Sequence, residues 1–328
     1  MNKIHEKTSP CCRVKIYKYG NKRRQCSGCK KTWTLWPKKR GRDPLRPSHK
    51  LLNKVVAEKQ SLLSPRFNRQ RLTAGALSFR LRRTMARYLE SHKPNIIPRG
   101  QLILIIDALW FMFGGKRWTL YLLTIRSVNQ DRAVILEPVL CLGRENYEAW
   151  SDTIFSIPVN IRNRVVAVVC DGFRGTDRIA RDNGWIVQRC HFHLLSQMQV
   201  NRGHWKQLPD SKQREQIYLA VRKILIAKPE KLNRCVKELI VLLVKNNCPR
   251  RLGAIAREFL RRLDQFRSYR NYPSLRLPNT TNSVESFNKI IRSRCRHLRT
   301  PKSLLLRTKV LIRMRKTITC NPKLFQQN

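Results

Sequence analysis

The sequence predicts a mixed α/β fold, a sheet of antiparallel and parallel strands with helices packed against it. Three observations predict it. The runs LILIID, WTLYLLTI and AVILEPVL follow one another across short turns, each apolar and strand-length. Helical and strand patterns then alternate: RENYEAWSDTIFSI, RVVAVVCD, RGTDRIARDN and, after Gly184, WIVQRC. From about residue 194 the chain reads as helices rich in Lys and Arg, such as REQIYLAVRKILIA and LNRCVKELIVLLVKN, with no convincing strand.

The order of these elements is β-β-β-α-β-α-β, that of a ribonuclease-H-like core, in which three antiparallel strands precede two parallel ones. Residues 100–328 are therefore expected to form that core, with a helical insertion at about 195–275 and one or two further helices over 282–315. Upstream, residues 1–44 are rich in Cys, Lys and Arg and end in the basic linker PKKRGRDP. Residues 45–99 show helical apolar spacing. Leu51, Leu52, Val55 and Val56 form one face, and Leu77, Leu81, Met85 and Leu89 another. The stretch SPRFNRQRLTAGALS between them reads as turn, short helix, turn. The whole suggests a small helix-turn-helix unit whose last helix carries Arg80, Arg82, Arg83 and Arg87.

Charge narrows the function. The 328 residues hold 69 Lys and Arg against 20 acidic residues, a formal charge of +49. A chain so charged repels itself and calls for a polyanion partner. Nucleic acid fits, because neutralising phosphates releases counterions. Lys38, Lys39 and Arg40 in the linker and the four arginines of the upstream helix are the expected DNA contacts. The N-terminus has no apolar signal core, and the longest apolar runs are too short to span a bilayer. The expectation is a cytoplasmic, nucleoid-associated protein, with its 11 cysteines reduced.

With so few acids, a carboxylate at the end of a buried strand is informative. Asp107 follows LILII, and Asp171 follows VVAVVC. In the expected sheet these two strand ends are neighbours. Glu285 begins a late helix in TTNSVESFNKII, where Ser and Asn suit a helix N-terminus. Three acids in one pocket repel each other without a cation. Two Mg²⁺ or Mn²⁺ ions, about 3.5–4 Å apart, answer that repulsion and activate oxygens in phosphodiester chemistry. Taken singly, each acid has an ordinary reading, as turn residue, helix cap or solvated helix residue. The argument rests on all three converging.

The residues Asp107 after LILII, CDG at 170–172, RCHFH at 189–193 and TTNSVESFN at 280–288 together resemble the Mutator-like transposases and related bacterial insertion-sequence transposases. The resemblance covers roughly residues 100–300. It implies a ribonuclease-H-like fold with an Asp-Asp-Glu triad (Asp107, Asp171 and Glu285) and a helical insertion before the Glu. It also implies a bacterial source, cleavage of double-stranded DNA at element ends and joining of the 3′-hydroxyl to a target. A homodimer or larger assembly is expected on the DNA. The Cys-x-x-His pair of that family matches Cys190 and His193, read here as residues near the active site and not as metal ligands. Trp205, in the insertion, is a candidate for stacking on an extruded base, and more readily a core residue.

At the N-terminus, Cys26 and Cys29 form a CxxC knuckle, and a zinc ribbon is expected with Cys12 as a third ligand. Ser9 stands where the first Cys of a ribbon would be. Adjacent Cys11 and Cys12 are not expected to share one ion easily, so His5 or Cys11 are the alternatives for the fourth position. Three functions remain in competition. The first is a metal-dependent transposase. The second is a transposase-derived DNA-binding regulator without catalysis. The third is another nuclease on the same fold, such as a ribonuclease H, which the upstream modules disfavour.

Overall fold

The apolar runs fold as strands, and their connections set the sheet order. A computed structural model describes residues 8–9, 11–20, 23–34, 52, 55–56, 73–203, 208, 210–244 and 248–320. The chain divides into two compact units, Met1–Arg46 and Pro47–Asn328. Lys38, Lys39, Arg40, His5 and Trp205 lie outside the described residues, as does most of the expected turn and first helix of the helix-turn-helix.

The first unit contains three short antiparallel strands, β1 (Ile16–Lys18), β2 (Arg23–Cys26) and β3 (Thr32–Thr34), with β2 in the middle. Their length matches a unit with little apolar sequence to bury.

In the second unit, β4 (Leu102–Phe113) and β5 (Lys116–Ser127) form a long antiparallel hairpin. Its two-residue turn is Gly114–Gly115, both at positive φ, which suits the twist of a tight hairpin. The third apolar run is one strand fewer in expectation than in fact. Pro138 interrupts it, giving β6 (Arg132–Ile135) and β7 (Val139–Leu142), both paired with β5. Helix α1 of this unit (Ala74–Ser91) precedes the sheet, its Thr73 hydroxyl capping Ala76 N–H. After β7 come α2 (Tyr147–Phe155) and a short α3 (Val159–Arg162), then β8 (Val165–Cys170), α4 (Thr176–Asn183) and β9 (Ile186–Arg189). Both β8 on β4 and β9 on β8 are parallel pairings.

The sheet therefore runs β6-β5-β4-β8-β9, with the first strand at its centre. A further strand, β10 (Thr317–Thr319), pairs with β6 at the edge, an addition that the sequence pattern did not announce. The insertion is helical as expected: α5 (His191–Arg202), α6 (Ser211–Ile226), α7 (Pro229–Val244), α8 (Arg250–Arg261) and α9 (Leu263–Asn271). It has its own core around Ile217, Val221, Leu239, Leu252 and Phe259. The chain then returns to the sheet as α10 (Asn282–Cys295) and α11 (Pro301–Arg315).

Alternation along the strands separates two cores. Ile103, Ile105 and Leu109 face α10 and α11, whereas Leu104 and Ile106 face α2 with Trp150 and Ile154. Leu81, Met85 and Tyr88 of α1 join the first core beside Val310 and Leu311. The apolar stripe of the upstream helix is thus spent on the sheet unit. Arg80, Arg82 and Arg83 remain on the exposed side, and Arg87 is half-buried. Among the described residues no helix is long and apolar enough to cross a membrane.

Candidate metal centres

In the first unit the sulfurs of Cys11, Cys12, Cys26 and Cys29 all lie within 4.8 Å of one another, and this group could bind zinc. A tetrahedron with Zn–S bonds of about 2.3 Å has edges of about 3.8 Å, so the spacing fits. Contrary to the sequence expectation, both adjacent cysteines reach the cluster. The reason is a tight turn. The Ser9 hydroxyl accepts from the backbone N–H of Cys12 and of Val14, each at 3.3 Å, and Arg13 adopts positive φ. Ser9 is thus not a missing ligand but the post around which the turn winds. The neighbouring Cys29 and Cys26 side chains push the Cys12 thiol up to about 12, while the Ser9 hydroxyl helps hold Cys26 down to about 6. Several thiolates at this spacing need a cation between them.

In the second unit Asp107, Asp171 and His193 each offer a ligand atom within 4.8 Å of the others, and this group could hold a metal ion. Register explains the two aspartates. Parallel β4 and β8 pair Ile105 with Val169, and each aspartate stands two residues further along. Asp107 does not end its strand, as the sequence suggested. β4 continues to Phe113 because β5 goes on pairing with it after β8 has stopped. Asp107 therefore sits at the carboxyl end of the parallel half of the sheet, where sheets of this kind bind ligands in a crevice.

His193 lies in the first turn of α5, and the sequence reading had kept it out of the ligand set. Its Nε2 is 2.9 Å from Glu285 Oε1. Glu285 opens α10, and three residues later Asn288 donates from Nδ2 to Asp107 Oδ2. The other Asp107 oxygen accepts Ala108 N–H at 2.9 Å. The three expected acids thus meet, but with Glu285 held by His193, the group of ligand atoms closest together is two aspartates and a histidine.

The charges account for this. Burial, then Glu285 and Asp171, push the Asp107 carboxyl well above the carboxylate range, with His193 pulling it back. Burial works against a charged His193, but Cys190, Glu285 and Asp107 outweigh it and raise the imidazole to about 11. The hydrogen bond from His193 holds Glu285 below its usual value, against burial. The Cys190 sulfur accepts from Thr281 N–H and Thr281 Oγ1–H, both at 3.2 Å, which ties the RCHFH segment to the TTN segment. His193 Nδ1 is buried with no partner of good hydrogen-bond geometry among the described residues, and the imidazole beside Cys190 holds that thiol below its usual value against burial. A protonated His193 neutralises part of the cluster, a task that a cation would take over once the imidazole gave up its proton to ligate.

Two residues went unread in the sequence. Asn288 had a usable signal, its i, i+3 spacing from Glu285 on one helix face. Glu145 had none, because an acid just before a helix reads as a dipole partner. Its Oε1 accepts Trp150 Nε1–H at 2.6 Å, and burial, then nearby Asp171, push it up. A fourth carboxyl therefore lies within electrostatic reach of the crevice. His191, by contrast, is structural. Burial lowers it to about 4, so it is neutral and donates from Nε2 to the Phe266 carbonyl at 2.7 Å. No protein-family model matches the chain, and no curated protein matches it significantly.

Proposed function

We propose that this chain is a DNA transposase that cuts element ends and joins the 3′-hydroxyl to target DNA. The observation that carries the proposal is the meeting of Asp107, Asp171, His193 and Glu285 at the open end of the central parallel strands of a chain with a charge of +49. The sheet order, with β4 central and β8 and β9 parallel to it, supports a ribonuclease-H-like core. The insertion between Asp171 and Glu285 is helical, in keeping with the transposase resemblance.

The donor set is carboxylate-rich and hard, and its buried Asp107 lacks enough positive charge nearby, so it fits Mg²⁺ or Mn²⁺. Asp107, Asp171 and either Glu285 or His193 would hold the ions. When bound, they supply Lewis-acid activation of the phosphodiester and its attacking oxygen. The chain's own contribution is orientation. Asn288 and Ala108 N–H fix both Asp107 oxygens, and His193 fixes Glu285. In the first reaction water adds to phosphorus and the P–O3′ bond breaks, leaving a 3′-hydroxyl. In the second, that oxygen bonds a target phosphorus and the target's own 3′ oxygen leaves. A double-stranded DNA partner and a homodimer on it belong to the same proposal, as does the DNA-binding role of Arg80, Arg82, Arg83 and Arg87.

The test is cleavage of DNA carrying the element ends in Mg²⁺, in Mn²⁺ and in EDTA. We expect metal-dependent nicking by the wild type and a loss of about 100-fold or more in Asp107→Asn and Glu285→Gln, with DNA binding retained. Equal nicking by Asp107→Asn would sink the proposal. Tight, salt-sensitive binding without nicking in any metal would favour a regulator that no longer catalyses.

A further inference from the structure

The β4–β5 hairpin runs on past the crevice, and its outer half carries an aromatic surface. Trp110 is 55% exposed and Met112 53% exposed. Strand alternation and the Met112–Arg117 pairing put Trp110, Met112 and Arg117 on the same face of the hairpin. The Arg117 guanidinium lies over the Trp110 ring, 5.2 Å from its centre. It makes no hydrogen bond or ion pair among the described residues, and its Nε is buried without a partner. Toward the crevice the same face leads to Glu145, which lies in the electrostatic reach of both Arg117 and Asp171. Trp110 is three residues from Asp107, about 10 Å along the strand, and on the opposite face of the sheet, the face that carries Glu145.

We propose that this face is a stacking platform for an unpaired nucleobase of DNA held at the crevice. The occupant follows from chemistry. The exposed indole offers a flat surface to any base, and the Arg117 guanidinium over it, which makes no hydrogen bond or ion pair among the described residues, offers charge to a neighbouring phosphate. Lys116 and Arg144, both exposed, extend that charge around the turn and the next strand. An apolar partner protein would meet the charges of Lys116, Arg117 and Arg144 here. The inference rests on the DNA-cutting reading, since it is the crevice that would bring DNA to the hairpin.

The test is binding, with Ca²⁺ replacing Mg²⁺, to a short duplex with an unpaired 3′ overhang and to the same duplex fully paired. A 2-aminopurine in the overhang reports stacking. We expect Trp110→Ala to weaken overhang binding about 5- to 100-fold and to abolish fluorescence quenching. Binding to the paired duplex should change less than about twofold, and Trp110→Phe should restore most of the overhang affinity. Equal loss on both duplexes, or no loss on either, would overturn the platform. So would a changed sedimentation coefficient with unchanged DNA binding, which would mark the face as a contact between copies of the chain. No cleavage is needed for this readout. A chain that cannot cut DNA but keeps a Trp110-dependent overhang preference would remove the nuclease reading and leave the platform standing.

Discussion

A carboxyl as buried as Asp107 is costly unless both of its oxygens are satisfied and some positive charge is near. Asn288 and Ala108 N–H supply the first condition, and His193 part of the second. Asn288→Ala removes one donor without touching a ligand atom. Such supporting contacts are worth about 10- to 100-fold in metal affinity. The Mn²⁺ concentration needed for half-maximal nicking should therefore rise by that order, while the circular dichroism spectrum stays native. An unchanged metal dependence would remove Asn288 from the positioning role. Glu145 admits a similar separation of charge from packing. Glu145→Gln keeps an acceptor for the Trp150 indole, whereas Glu145→Leu strands that buried N–H. Urea denaturation should find the Leu variant less stable by about 1–3 kcal/mol and the Gln variant close to wild type. Equal loss in both would mean that the negative charge itself stabilises the fold.

Among the elements, β9, α5 and α9 decide how the insertion joins the sheet. Gln188 of β9 is fully buried. Its Nε2 donates to the Phe266 carbonyl at 3.1 Å, and its Oε1 accepts Tyr269 N–H at 2.7 Å. His191 adds a second donor to the same carbonyl, and the Ser268 hydroxyl donates to the Val187 carbonyl at 2.7 Å. The joint is thus polar and fully buried, where hydrogen bonds are hardest to replace. Gln188→Leu keeps the volume but strands Tyr269 N–H. It should cost at least about 2 kcal/mol in a chemical denaturation experiment. A variant as stable as wild type would show that His191 and Ser268 suffice. The glycine after Asp171 belongs to this scale too. Gly172 adopts φ +91°, and a Cβ there would meet the Arg189 guanidinium at 2.5 Å. The guanidinium could swing aside, but the left-handed φ itself calls for glycine where the chain turns directly after Asp171.

For the molecule as a whole, charge and the cysteine cluster set the expectations. If DNA covers six to ten phosphate contacts, affinity should fall by about 10³ to 10⁵ between 50 and 200 mM salt. Titration by fluorescence anisotropy over that range checks it. A flat dependence would mean that most of the 69 basic side chains face away from DNA. Among its described residues the first unit has three strands of three or four residues each, so its order should depend on a metal held by its thiols. Metal analysis should find about one zinc per chain, and Cys26→Ser should lower it. The melting of the sheet unit should be unaffected, because Pro47–Asn328 has cores of its own. Full zinc content in the variant would show that three sulfurs suffice.

Periodicity and charge alone determined a good part of this. The alternation of strand and helix patterns from LILIID to WIVQRC, the helical insertion and the cysteine knuckle are local properties. Apolar spacing and turn residues express them without reference to distant contacts. The meeting of Asp107 and Asp171 was legible for a similar reason, since neighbouring parallel strands bring their ends together, whereas Glu285, on a helix far along the chain, was placed beside them only through the family resemblance. Only the tertiary structure decided the rest. That β4 runs on beyond Asp107 depends on its partner β5, not on its own residues. That Glu285 turns to His193 depends on the meeting of the N-terminal ends of α5 and α10, and that Cys11 and Cys12 both reach one cluster depends on the turn at Ser9. The apolar stripe of α1 pointed to a helix, yet nothing in it named α11 and the sheet as the surface it covers. Side-chain partners far apart in sequence are chosen by packing and electrostatics in three dimensions, and a one-dimensional pattern carries no record of that choice.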